Sequence, residues 1–99
     1  MYARVSTYAA SPTDVDRLVQ AFGSDNRLSQ MAGLRDAFLL VDRASGRALT
    51  VTLWESEEAV TASAAGATEL RRDAAGSAGS SIESVETYEV AIHLADATV

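Results

Sequence analysis

The spacing of apolar residues along the chain switches between strand-like alternation and helical periodicity, which marks successive strands and helices. Segment 2–9 mixes β-branched and aromatic residues and predicts a first strand. Ser11 and Pro12 follow as a serine cap and a first helical residue, so a helix is expected to begin there. Its apolar stripe has the i, i+3, i+4, i+7 spacing of one helical face: Val15, Leu18, Val19 and Phe22.

The middle of the chain predicts a β-hairpin. Gly23 is expected to end the first helix, and residues 28–31 to add a further helical turn. Strands are predicted over 34–41 and 47–54, and the polar turn between them has Gly46 available for a positive φ. Because the two strands follow one another so closely, they are expected to pair antiparallel.

The last part of the chain predicts a long helix and a fourth strand. Ser56 is a typical N-cap, with acidic residues after it, and the alanine-rich helix is expected to run to about Ala75. The glycine- and serine-rich segment 76–81 is interpreted as a flexible loop, and its composition alone suggests a mobile lid. A strand is predicted over 82–94, and residues 96–99 are predicted to be a frayed tail.

The predicted order, β-α-β-β-α-β, indicates a ferredoxin-like α+β domain over residues 1–95, with a four-stranded antiparallel sheet and two helices on one face. Strand two is apolar on both faces, because Leu39 and Val41 alternate with Phe38 and Leu40. Two helices can cover only one face of such a sheet. A homodimer paired through the other sheet face is therefore predicted, which makes the fold a dimeric α+β barrel.

Composition narrows the chemistry that the 99 residues can carry. The absence of cysteine removes disulfides and thiolate sites, and His93 is the one histidine, so no metal site is expected. A net charge of −6 with interspersed signs argues against a nucleic-acid surface. The sequence shows neither a leader nor a long apolar run, so the expectations are no membrane association and a cytoplasmic location.

A strand that ends in Trp54-Glu55, followed by the Ser56 cap and by acids that open a helix, resembles the antibiotic biosynthesis monooxygenase-like superfamily. The Gly46 hairpin and the closing strand segment 84–90 are similar to it as well. This resemblance implies homodimeric α+β barrels with a ligand pocket between the sheet and the helices of each subunit. The activities that it implies are cofactor-independent oxygenation of aromatic polyketides or quinols and haem degradation, and many members have no known substrate.

The haem-degrading members differ from this chain at three informative positions. Their asparagine, tryptophan and haem-ligating histidine would fall at Ser6, at about Ser63 and at about Arg72. Without an imidazole at the last position, haem iron lacks its usual anchor. No cofactor is therefore expected.

An oxygenase of this kind needs a polar wall in an apolar pocket. The candidate pocket residues are Ser6, Tyr8, Phe22, Phe38, Thr52, Trp54 and Arg72. The Trp54 N–H is interpreted either as a donor to bound oxygen or as part of a packing wedge between helix and sheet. Arg71 and Arg72 are interpreted either as holding an anionic substrate or, preferably, as solvated at a helix end. His93 is interpreted either as a general base or, preferably, as an exposed strand-end residue.

The function indicated is a monooxygenase-like domain that binds a planar, mostly apolar small molecule and that, if it is an enzyme, is a cofactor-independent oxygenase. The alternative is a non-catalytic homodimeric ligand-binding or accessory protein, and a third interpretation is a relative of stress-responsive barrels that has no small ligand. A cavity of at least about 300 Å³ with convergent polar groups would distinguish the first from a dimer whose interior is filled by side chains. No catalytic residue is assigned by the sequence.

Overall fold

The computed structural model describes residues 1–95, and the predicted tail at 96–99 lies outside the described residues. The six main elements are β1 (Tyr2–Ala9), α1 (Val15–Gly23), β2 (Leu34–Asp42), β3 (Arg47–Trp54), α2 (Glu57–Ala78) and β4 (Ser81–Glu89). A 3₁₀ turn, Leu28–Gln30, replaces the predicted extra helical turn at nearly the same place. Within the described part of the chain, neither α-helix is long and apolar enough to cross a membrane.

The strands form one antiparallel sheet with the order β2-β3-β1-β4. This is the ferredoxin-like β-α-β-β-α-β arrangement predicted from the sequence, and that prediction is confirmed. Burial alternates along both central strands, because successive side chains of a strand point to opposite faces. The buried positions are those that α1 and α2 cover.

The helix–sheet core is small and includes many alanines. Tyr8 and Leu18 are fully buried within it, and Ala48, Ala75 and Ala78 complete the cluster. Small side chains let α2 lie close to the sheet, so the larger rings of Tyr8 and Phe22 fill the space nearer α1. These two rings meet edge to face with 5.6 Å between centroids, a favourable aromatic geometry.

The start of α1 differs from the prediction. The Ser11 hydroxyl donates to the Asp14 carboxylate at 2.8 Å, so it does not cap the backbone of a helix that begins at Pro12. The segment from Pro12 to Asp14 is a turn, and the helix begins at Val15 with Asp14 as its N-cap. Because the Ser11 hydroxyl is bonded to the Asp14 side chain, it does not cap a helix, and α1 begins later than predicted.

The end of α2 also differs from the prediction, since the helix continues to Ala78 instead of ending near Ala75. Its buried stripe extends through Ala78, and packing of that stripe outweighs the low helix propensity of Gly76. Gly79 then ends the helix in the left-handed region with a φ of 65°, and the Ser80 N–H donates to the Ala75 carbonyl. The flexible loop predicted over 76–81 is wrong, and the lid suggested from its composition has no segment to form it.

Strand β4 is shorter than predicted and ends at Glu89 instead of at residue 94. In the sheet that residues 1–95 form, its only neighbour is β1, whose first residue, Tyr2, pairs with Glu89. Beyond that pair there is little left of β1 for β4 to bond, so apolar residues such as Ile92 and Leu94 stay exposed and irregular. The single histidine, His93, lies in this exposed segment.

The sheet face opposite the helices is apolar in the single chain. Phe38 pairs with Val51 there, and Leu40 pairs with Leu49. Phe38 and Leu40 are 47% and 50% exposed, so nothing within the described residues covers them. The predicted apolar character of both faces of strand two is thus present. We call these residues, together with Leu53 and Tyr88, the outer sheet face.

Candidate functional site

The helices and the sheet leave between them a cavity of about 490 Å³. Three buried residues form its floor, Thr50 and Thr52 from β3 and Leu70 from α2. Asp25 and Arg43 stand at the rim, where the cavity opens to solvent. The walls between floor and rim are mainly apolar and include Val19, Phe22, Leu28, Leu39 and Val41. Apolar walls with a few polar groups at one end are typical of small-molecule sites.

The polar floor follows from strand alternation. Thr50 and Thr52 occupy alternate positions of β3, and both point towards the helices because Leu49, Val51 and Leu53 take the outer sheet face. On the neighbouring β1, the residues paired with them are Ser6 and Arg4. A ladder of polar side chains therefore crosses the two central strands directly beneath the helices.

Tyr8 extends this ladder with a phenol. Its hydroxyl lies 3.1 Å from the Thr50 Oγ1, and the whole side chain is buried. Burial raises the pKa of Tyr8 above its ordinary value, while the bond to Thr50 and the positive charge of Arg71 act in the opposite direction. Tyr8 is consequently a neutral hydroxyl at ordinary pH and can donate or accept one hydrogen bond.

Arg4 is a buried arginine that joins the sheet to α2. Its Nη2 donates to the Val60 carbonyl at 2.7 Å, and both Nη atoms donate to the Ser63 Oγ at 3.3 Å. The guanidinium also lies over the ring of Trp54, with its Cζ 5.2 Å from the ring centroid. Burial lowers the pKa of Arg4, and the positive charge of Arg71 lowers it further. Arginine nevertheless stays protonated at ordinary pH, and the contacts with Val60, Ser63 and Trp54 hold the charge of Arg4 in one position.

Arg71 is a second buried arginine and reaches the same interior from α2. Its guanidinium makes one hydrogen bond to the described part of the chain, from Nη2 to the Thr68 Oγ1 at 3.2 Å. Burial lowers its pKa, and the effect is partly opposed by the nearby Tyr8. Neither Arg71 nor Arg4 has a carboxylate of residues 1–95 within ion-pair distance.

The two arginines line a recess that adjoins the cavity. The recess has a volume of about 20 Å³ and shares Phe22, Leu28, Thr50, Thr52 and Leu70 with the larger cavity. That volume is close to the space that one water-sized group needs. The cavity thus ends in a small positively charged recess beneath α2.

The residues that the sequence proposed for the pocket fall into several groups. Thr52 lies in the cavity floor and Phe22 forms part of its wall. Ser6, Tyr8 and Trp54 are buried on the helix-facing side of the sheet, but they line neither the cavity nor the recess, so the prediction that they line the pocket is wrong. Phe38 borders the rim but belongs by register to the outer sheet face, where it is half exposed. Arg72 is exposed and does not line the cavity.

Two details refine the interpretation of these residues. The Trp54 N–H donates to the Thr52 Oγ1 at 2.8 Å, so it is already engaged within the protein. Trp54 is fully buried, as a packing wedge requires. The preferred interpretation of both Arg71 and Arg72 as solvated is correct for Arg72 and wrong for Arg71.

Sequence reasoning left Arg4 out of the candidates and gave Arg72 the place that Arg71 occupies. Both corrections have a signal in the sequence. Arg4 alternates with Ser6 and Tyr8, which places all three on one strand face. Arg71 lies four residues after Ala67, on the buried stripe of α2, whereas Arg72 lies beside that stripe.

The lining offers little to a metal or to haem. Within residues 1–95 no group of three acidic, histidine or cysteine side chains is placed to hold a metal ion. No imidazole lines the cavity, and the position at which the resemblance places a haem-ligating histidine is the exposed Arg72. These residues do not fit haem ligation as it occurs through histidine.

Several solved structures share this fold over nearly the whole chain. A Deinococcus radiodurans protein assigned as an antibiotic biosynthesis monooxygenase has a TM-score of 0.74 at 20% identity, over 97% of this chain and 98% of that chain. SnoaB, a cofactor-independent oxygenase from Streptomyces nogalater, has a TM-score of 0.68 at 13% identity, over 96% of this chain and 97% of that chain. The haem degrader MhuD from Mycobacterium tuberculosis was solved with two haems bound in its active site. It has a TM-score of 0.73 at 20% identity, over 96% of this chain and 100% of that chain.

No protein-family model matches the sequence, and no curated protein does so either. At 13–20% identity, the three structures share backbone architecture with this chain while most side chains differ. They include an oxygenase and a haem degrader, so the fold accommodates more than one chemistry. The chain has the fold of the antibiotic biosynthesis monooxygenase-like superfamily, as the resemblance of its sequence implied.

Proposed function

We propose that this protein is a monooxygenase-like domain that binds a planar, mostly apolar small molecule between its sheet and its helices. The observation that carries the proposal is the cavity of about 490 Å³ with apolar walls and a polar floor at Thr50 and Thr52. Its volume falls in the range of about 300–1,000 Å³ that is typical of small-molecule sites. A domain whose interior served packing alone would fill this space with side chains.

The catalytic form of the proposal is a cofactor-independent oxygenase of a polyketide- or quinol-like substrate. With an anthrone-type substrate, the ring CH₂ becomes a carbonyl, one atom of dioxygen is incorporated as the carbonyl oxygen and the other leaves as water with the two hydrogens. The substrate supplies the electrons after it ionises, so the protein's contribution is to stabilise the anion and exclude water. The two buried arginines of the adjoining recess offer donors and positive charge for that purpose, and the fold shared with SnoaB supports the assignment.

A ligand-binding or accessory protein without catalysis is the second candidate. It is favoured by the Trp54 N–H, which is bonded to Thr52 and so is not free for bound oxygen. It is also favoured by the Tyr8 hydroxyl, which already has Thr50 as a partner. Both candidates use the same cavity, and turnover distinguishes them.

We further propose that two copies pair through the outer sheet face. Phe38, Leu40 and Tyr88 are each about half exposed on that face, and contiguous apolar surface of this kind typically marks an interface. A second copy presents the same residues, so a twofold arrangement buries the apolar face of both chains at once.

The test of ligand binding is a thermal shift of the purified protein with anthrones, naphthoquinols, flavins and haem. A ligand at ~100 times its dissociation constant adds about 2.7 kcal/mol to stability. The blocking variant is Ala37→Trp, because Ala37 lines the cavity at the exposed edge strand. Ala44→Trp, in the exposed turn of the same hairpin, is the matched control.

The proposal expects a shift with at least one reduced polycyclic aromatic, its loss in Ala37→Trp and its retention in Ala44→Trp. Dioxygen uptake with the same ligand then separates an oxygenase from a carrier. A shift that survives in Ala37→Trp would place the ligand outside this cavity and would contradict the proposal.

A further inference from the structure

The two buried arginines approach each other from distant parts of the chain, Arg4 from β1 and Arg71 from α2. They are 5% and 9% exposed and line the same recess at the end of the cavity. Arg71 lies near enough to Arg4 for its positive charge to lower the pKa of Arg4. Burying two like charges side by side is costly unless a negative group compensates them.

No such group is present among the described residues. The carboxylates that form ion pairs there, Asp14, Asp16, Asp25 and Asp73, pair with arginines on the protein surface. Hydroxyl and carbonyl oxygens contact the buried pair instead, and these carry only partial charges. The recess is therefore a site of uncompensated positive charge.

The two guanidinium groups differ in how fully they are bonded. Arg4 donates to a carbonyl and a hydroxyl of α2 and stacks on Trp54, so its position is fixed. Among residues 1–95, Arg71 donates to Thr68 alone, although a guanidinium carries five N–H donors. No side-chain nitrogen within the described residues is both sealed from solvent and without a partner. The remaining nitrogens of Arg71 thus stay accessible to a water-sized group.

We propose that Arg71, with Arg4 beside it, binds an anionic oxygen of a planar aromatic ligand. The inference rests on the proposed function and names the ligand class for the same cavity. The recess of about 20 Å³ has room for a charged oxygen, while the apolar cavity of about 490 Å³ holds the rings. A carboxylate and an ionised ring hydroxyl both present this chemistry, and Arg binds such oxygens through short, charge-assisted hydrogen bonds.

The test compares ligands of the same shape and different charge on the intact protein. Calorimetry measures the affinity of 2-naphthoate and of 2-naphthamide for the wild type, Arg71→Gln and Arg72→Gln. Arg72 is the adjacent residue and is exposed, which makes it the matched control. 2-Naphthol is a third probe: if an ionised ring hydroxyl is accepted, its binding at neutral pH releases a proton, and heats in two buffers reveal that release.

The wild type is expected to prefer naphthoate over naphthamide by about tenfold or more. Arg71→Gln is expected to abolish the preference, Arg72→Gln to keep it, and Arg71→Lys to keep part of it through its charge. Equal affinity of the wild type for both ligands overturns the inference and leaves the cavity proposal standing. A preference that persists in Arg71→Gln overturns it as well. If neither ligand binds and no planar aromatic shifts the melting temperature, the proposed function itself fails.

Discussion

Replacing each buried arginine by glutamine tests whether that arginine stabilises the fold or is available to bind a ligand. Arg4 and Arg71 are about equally buried and differ mainly in their bonding. If the hydrogen bonds of a buried charge determine its contribution to stability, then Arg4→Gln and Arg71→Gln must change the free energy of unfolding by clearly different amounts or in opposite directions.

The expected loss for Arg4→Gln follows from its contacts. Its bonds to the Val60 carbonyl and to Ser63, and its position over Trp54, are lost together. Hydrogen bonds to a charged group contribute about 1.5–3 kcal/mol each before the desolvation of the charge is subtracted. Ser63 still donates to Val60, so no partner is left unsatisfied. A net destabilisation of about 2–3 kcal/mol is expected.

Arg71→Gln removes much less. The bond to the Thr68 hydroxyl is lost, but Thr68 still donates to the Ala64 carbonyl at 2.8 Å. The burial cost of one charge and its repulsion with Arg4 disappear at the same time. The free energy of unfolding is therefore expected to stay within about 1 kcal/mol of wild type, on the stabilising side.

Urea denaturation at one fixed protein concentration measures both variants, because any self-association makes stability depend on concentration. An unchanged m-value shows that the unfolding transition itself is comparable. At about 4–8 °C per kcal/mol for a domain of this size, melting temperatures should differ by at least about 8 °C between the variants. A loss in Arg71→Gln as large as that in Arg4→Gln would refute the reasoning and make Arg71 a structural residue.

Three further predictions address the phenol, the hairpin and the outer sheet face. Burial raises the pKa of Tyr8, so as pH rises the unfolded chain loses the phenol proton before the folded protein does. The free energy of unfolding should therefore fall as pH rises above 10, and it should fall less steeply in Tyr8→Phe. Urea denaturation at pH 9 and at pH 10.5 measures this difference. Gly46→Ala should cost at least about 2 kcal/mol in urea denaturation, because φ is 83° and a Cβ there would lie 2.0 Å from the Ala10 carbonyl oxygen; a neutral result contradicts the turn geometry. Leu40→Glu should yield monomers in light scattering while Ala62→Glu, on exposed α2 surface, should not, and unchanged mass in both rules out the proposed pairing face.

The parts of the fold that local chemistry determines were predictable from the sequence. Strand β3 has the predicted bounds, and the Ser56 side chain accepts from the Ala59 N–H at 3.1 Å as an N-cap. Gly46 adopts the positive φ expected of the hairpin turn. Turns and caps depend on a few adjacent residues, so one sequence contains most of the information needed to place them.

The errors arose where a distant element decides the outcome. Strand β4 ends at Glu89 because its neighbour β1 begins at Tyr2, and no property of residues 90–94 reveals that limit. Helix α2 continues past Gly76 because Ala78 packs into the core. In the site, the charge of Arg71 and Arg72 led to the prediction that both side chains are exposed to solvent. The helical spacing distinguishes them, because Arg71 lies on the buried stripe of α2 and Arg72 does not.

The bonding of the polar floor indicates which groups remain available to a ligand. Tyr8 is paired with Thr50, and the Trp54 N–H is paired with Thr52. A ligand that uses these groups has to break an existing hydrogen bond, and the exchange yields little net free energy. Arg71 has one hydrogen-bond partner within residues 1–95, Thr68, so a negative group in the recess can form a charge-assisted bond with its other N–H groups and compensate a buried charge. Ligand affinity in this cavity should therefore depend on Arg71 and on the ligand's charge more than on any hydroxyl of the sheet.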